Sequence, residues 1–66
     1  MPSRPDYVVD LADGATEEYA FRASPPARPG ELAWIRRIKA ADGRTLEVWH
    51  EAADPSGRLT HSHRHL

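Results

Sequence analysis

The sequence predicts an all-β fold, a small five-stranded antiparallel meander, and its turn spacing, its strand-like segments and its missing helical period carry that reading. Turn-forming clusters recur at short intervals: Asp13-Gly14, Pro25-Pro26 through Pro29-Gly30, Asp42-Gly43, and Asp54-Pro55-Ser56-Gly57. Between them lie segments with β-branched and aromatic side chains, at Asp6–Leu11, Thr16–Ala23, Glu31–Ala40, Thr45–Ala53 and Arg58–Arg64. Segments of this length joined by short loops form successive hairpins. A helix competes at residues 31–40, because Leu32, Ile35 and Ile38 recur at every third position behind Gly30.

The hairpins can be set in register from their turns. Ala-Asp-Gly occurs at 12–14 and again at 41–43. A three-residue loop with its glycine in the left-handed region makes a type I turn followed by a G1 bulge. With that turn, Val9 is expected opposite Tyr19 and Tyr7 opposite Phe21. In the next hairpin Ile38 should face Leu46, Arg37 should face Glu47, and Trp34 should face His50. In the last hairpin Asp54 is expected opposite Gly57 and Ala53 opposite Arg58. His50 then faces His61, and Val48 faces His63. One sheet face would carry Leu32, Trp34, Arg36 and Ile38 together with the histidines. The other would be charged, with Ile35 and Trp49 as an apolar spot in its middle.

Size limits what such a sheet can do alone. A single domain spanning residues 1–66 is near the lower end of what folds unaided, and a core of this size rarely supplies more than about 3–5 kcal/mol. With no cysteine, disulfides and thiolate zinc sites are excluded. Hydrophobic residues make up 39% and charged residues 29%, a globular rather than a disordered balance. An apolar sheet face without a helix to cover it has to curl into a half-barrel or be completed by dimerisation or another partner. Residues 1–5 are expected as an extended arm, 24–30 as a proline-rich loop, and 65–66 as a frayed terminus.

Candidate chemistry gathers at the C-terminal end. All four histidines, His50, His61, His63 and His65, lie in the last two segments, and the last three alternate along one strand. Neutral imidazoles at His50, His61 and His63 are a possible zinc ligand set with an open fourth position. The same side chains offer a second reading: His50 with His61 or His63 as base and acid and Arg36 as the cation of a small metal-independent ribonuclease. The plain alternative is a solvated histidine tail. A formal net charge of −1 gives no global field toward nucleic acid. No Gly-rich phosphate loop or serine elbow occurs. The preferred expectation is a soluble, cytoplasmic protein–protein interaction module without a cofactor and not an enzyme. Its binding residues are Trp34, Trp49 and Ile35, and its partner is another protein or a second copy rather than a membrane.

Overall fold

In the computed structural model, which describes residues 4–22 and 30–66, the strands follow one another across one antiparallel sheet. They are β1 (Tyr7–Asp10), β2 (Thr16–Arg22), β3 (Leu32–Lys39), β4 (Thr45–Ala53) and β5 (Leu59–Arg64), and their spatial order is their chain order. The five-stranded meander expected from turn spacing is the fold, and the sheet is not closed into a barrel. β3 is extended throughout, so the helical option over residues 31–40 is set aside. A two-residue period lets Trp34 and Arg36 meet β2 and β4 on one face, which a helix at this place could not do. The arm at 1–5, except Arg4 and Pro5, and the loop at 24–30, except Gly30, lie outside the described residues. His65 and Leu66 continue the pairing beyond β5: His65 N–H donates to Val48 O at 2.8 Å, and Val48 N–H donates to Leu66 O at 3.2 Å.

The turns explain where the register differs from expectation. In the first hairpin Asp13 and Gly14 both take positive φ, 61° and 78°. Positive φ at both central residues is the mark of a type I′ turn, which Asp-Gly favours. Ala15 N–H closes it onto Ala12 O at 3.3 Å, while Leu11 already pairs with Ala15. Tyr7 therefore faces Tyr19 and Val9 faces Glu17, in place of the expected Phe21 and Tyr19. That slip is two residues, so each side chain keeps its face.

The β3–β4 loop is the expected three-residue turn. Gly43 N–H donates to Ala40 O at 2.9 Å, Ala40 N–H donates to Arg44 O at 2.8 Å, and Gly43 has φ 89°. Lys39 then faces Thr45, but Ile38 faces Glu47, so Leu46 is an extra residue in β4. This bulge overturns the expected pairs Ile38–Leu46, Arg37–Glu47 and Trp34–His50. Trp34 faces Glu51, Ile35 faces His50, Arg36 faces Trp49, and Arg37 faces Val48. An odd slip exchanges the faces of β4 relative to β3.

The last hairpin repeats the three-residue turn over Pro55–Gly57. Asp54 therefore faces Arg58 rather than Gly57, and Ala53 faces Leu59 rather than Arg58. The Asp54 carboxylate accepts hydrogen bonds from the backbone N–H groups of Ser56 and Arg58, each at 3.0 Å. Thr60 is a second extra residue. Beyond it Ala52 faces His61, Glu51 faces Ser62, His50 faces His63, and Trp49 faces Arg64. Loop and bulge together displace β5 by two residues from the expected register, which leaves its faces unchanged relative to β4.

Glycine at the two Asp-Gly turns is held there for different reasons. A Cβ on Gly14 would lie 3.0 Å from Ala41 Cβ, whereas one on Gly43 would meet nothing within 4 Å. Gly43→Ala should cost about 1–2 kcal/mol from left-handed backbone strain alone. Gly14→Ala should cost more, because Ala41 must also give way. Chemical denaturation of the two variants in parallel checks the order.

Candidate functional site

The two faces of the sheet carry different chemistry. By register and alternation, the first holds Tyr7, Val9, Tyr19, Phe21, Leu32, Trp34, Arg36, Ile38, Trp49 and Glu51. The second holds Ala20, Arg22, Ala33, Ile35, Arg37, Val48, His50, Ala52 and His61, His63 and His65. Of the expected binding residues, Trp34 and Trp49 thus share the aromatic face, and Ile35 lies on the other side, opposite His50. Arg36 does not stand with the histidines either. The bulge at Leu46 separates them.

A polar network runs through the aromatic face. Arg36 donates from Nε to Glu51 Oε1 at 2.9 Å and from Nη2 to Glu51 Oε2 at 3.3 Å. Its Nη1 donates to Glu17 Oε2 at 3.2 Å. Trp34 Nε1 donates to Glu51 Oε1 at 3.2 Å, and Ser62 Oγ donates to Glu51 Oε2 at 2.9 Å. Tyr19 O–H donates to Glu17, and that bond, with burial and the carboxylate charge behind it, pushes the phenol up to about 12. Burial pushes the Glu51 carboxyl up, but hydrogen bonds from Arg36, Ser62 and Trp34 together hold it below the usual carboxylate range. The Arg36 guanidinium also lies 5.2 Å from the centroid of the Trp49 ring, whose Nε1 donates to Glu47 Oε1 at 2.9 Å. One arginine therefore ties β2, β3 and β4 together, and Glu51 extends the tie to β5.

Beside this network the aromatic face is bare. Tyr7, Val9, Tyr19, Phe21 and Trp34 line a shallow apolar hollow of about 300 Å³. Tyr7 is 60% exposed and Phe21 58%. Among the described residues no large side chain is fully buried, and the buried ones are Ala52, Ala53 and Glu31.

On the opposite face the imidazoles stand close together. The His50 and His65 ring centroids are 3.9 Å apart with planes inclined by 35°, and His63 meets His65 edge-on at 4.8 Å. His61 is stacked on His63 at 6.3 Å. Burial lowers the pKa of His50, and the charges of His65, Arg22, Arg37 and His63 lower it further. The lone pair of a ring nitrogen lies in the ring plane, so two stacked rings do not aim at a point between them. Among the described residues no group of three or more His, Asp or Glu side chains could hold a metal ion. Sequence reasoning missed Arg22 and Arg37 as members of this face. The signal would have been the odd slip at Leu46, which no turn residue announces.

No family model, curated protein or solved structure matches this chain. No helix among the described residues is long and apolar enough to cross a membrane.

Removing the carboxylate at the centre of the network should be costly. Glu51→Ala leaves Arg36 with one of its two carboxylates and Trp34 Nε1 without an acceptor, an expected loss of about 2–3 kcal/mol. Glu51 has its pKa depressed in the folded chain, so its contribution is complete above the unfolded value. It fades as pH falls through the folded one. Acid titration of stability should therefore show a steeper decline below about pH 4.3 in the parent than in Glu51→Gln.

Proposed function

We propose that the chain is a protein–protein interaction module whose aromatic face closes on a second copy of itself. The carrying observation is the uncovered hollow at Tyr7, Phe21 and Trp34 in a sheet that has no α-helix among its described residues. Apolar patches of this kind on soluble chains mark contact surfaces. A sheet this small gains more by covering that face than from its own interior.

Three features favour a second copy. The formal charge of −1 produces almost no self-repulsion. The charges at the centre of the face are already engaged within it, since Arg36 is shared between Glu17 and Glu51. The molecule measures 39 Å by 27 Å in its two long dimensions, an outline of about 1,000 Å² against the roughly 800 Å² per partner of a standard interface. A two-fold contact pairs a hollow in one copy with a projection in the other. Leu32 and Leu59, 57% and 52% exposed, stand on either side of Ala53 at the end of this face and supply the projection.

Sedimentation equilibrium in the micromolar range should find a dimer. Phe21→Ala should weaken it by about 1.5–3 kcal/mol, roughly ten- to a hundredfold in dissociation constant, with the circular dichroism of the sheet retained. A folded monomer at every concentration would overturn the reading. So would a dimer indifferent to both Phe21→Ala and Leu59→Ala.

A further inference from the structure

The face bearing the histidines contains a hollow that the aromatic-face reading does not use. Its geometry follows from one row of cross-strand partners: Arg22 on β2, Ala33 on β3, Ala52 on β4 and His61 on β5. The two central residues are alanines, so the floor is low, while a long cationic side chain and an imidazole form the walls. His50, Glu31, Trp34 and Glu51 also line the space, which is about 390 Å³. That is the size of a site for a small molecule rather than a scar between side chains.

The donors around it are uncommitted. Among the described residues Arg22, His50 and His61 make no side-chain hydrogen bond or ion pair. Arg37, His63 and His65 stand next along the same face and add to the positive character around His50. The carboxylates do not cancel this. Glu18 is engaged by Lys39 at 3.3 Å, Asp10 sits at the β1 edge, and Glu31 is buried with a partner of its own. Glu51 turns its oxygens to Arg36, Trp34 and Ser62 of the aromatic face.

We propose that the hollow over Ala33 and Ala52 binds a compact phosphate-bearing ligand, with Arg22 on one wall, His61 on the other and His50 at its end. A guanidinium presents several N–H groups in a fixed fork that matches phosphate oxygens, and each neutral imidazole adds one N–H donor. The small volume of the hollow and the formal net charge of −1 favour a short polyphosphate over a nucleic-acid strand, which needs an extended basic track. The site shares Trp34 with the aromatic hollow, and Arg22, Ala33 and His61 are what separate it from the dimer contact.

Inorganic pyrophosphate, titrated into the full chain at low salt and followed by amide chemical shifts, tests the proposal. Shifts should concentrate at residues 22, 33, 50, 52 and 61 and leave Tyr7, Val9 and Trp49 unmoved. Binding should weaken as salt is added, because a charged fork carries it. Arg22→Ala should weaken it about tenfold or more, and Arg22→Lys less, since the fork is lost but the charge stays. Ala33→Leu should abolish binding without any change of charge, because it fills the floor. The control is Arg64→Ala, on the aromatic face, which should bind as the parent does. Equal losses in Arg22→Ala and Arg64→Ala would show diffuse charge attraction and overturn the site. Full binding in a folded Ala33→Leu variant would overturn it too. So would a single-stranded RNA oligomer that binds this face and is not displaced by pyrophosphate.

Discussion

Side chains on a strand alternate between faces, so an odd insertion in one strand exchanges its faces relative to its neighbour. Leu46 is such an insertion in β4, and the chemistry of both faces follows from it. Because Ile38 faces Glu47 and the slip persists along the ladder, Glu51 arrives beside Trp34 and Arg36 while His50 is sent to the other side. Without the bulge, His50 would sit among Trp34 and Arg36, and Glu51 would join Arg37 and Ile35. The aromatic face would then keep only one carboxylate, Glu17, to pair with Arg36. The histidine face would gain one that quenches its positive character. Leu46 itself remains largely exposed, so its effect on the fold comes through count rather than contact.

A sheet with no deep core has to be held by other means. Backbone ladders supply much of it, but they do not by themselves fix which residues share a face. The Arg36 network does, because its partners come from β2, β4 and, through Glu51 and Ser62, from β5. A one-residue slip of any neighbouring strand would leave a partly buried guanidinium or carboxylate without its partner, a penalty larger than the loss of one ladder bond. The network thus specifies register where hydrophobic packing is too thin to do so. It also explains why a chain of this size tolerates charges in the middle of its most apolar face.

The sequence made the architecture legible and the pairings only partly so. Asp42-Gly43 behind Ala40 gave its turn type correctly, and so the strand order and the β3–β4 loop followed from residue chemistry. Asp13-Gly14 did not, because the same dipeptide serves a type I′ turn with Asp13 in the left-handed region. A two-residue displacement of that kind is harmless to faces. The bulges at Leu46 and Thr60 are different, since neither residue is a glycine or an asparagine and nothing local distinguishes them from their neighbours. Cross-strand plausibility misled as well: Arg37 opposite Glu47 and Trp34 opposite His50 look reasonable as pairs. Only the closure of the whole Arg36–Glu51–Glu17 arrangement selects the other register, and that is a property of three strands at once. The company of His50 was therefore predictable on β5, where the errors were even, and not on β3, where one error was odd.

The two faces also constrain each other. If aromatic faces close on one another, packed sheets lie about 10 Å apart and the histidine faces point outward on either side. Each hollow over Ala33 and Ala52 then opens to solvent away from the contact, and its ligand is taken from solution rather than trapped between copies. On the outer face, burial and the neighbouring positive charges hold the His50 pKa down. The inner face instead holds Glu51, whose carboxyl is kept below the usual range by Arg36, Ser62 and Trp34. Acid breaks the Arg36 pair on the inner face only by protonating that carboxyl. The separation of His50 from Glu51 follows from which side of β4 each residue occupies, and hence from one inserted leucine.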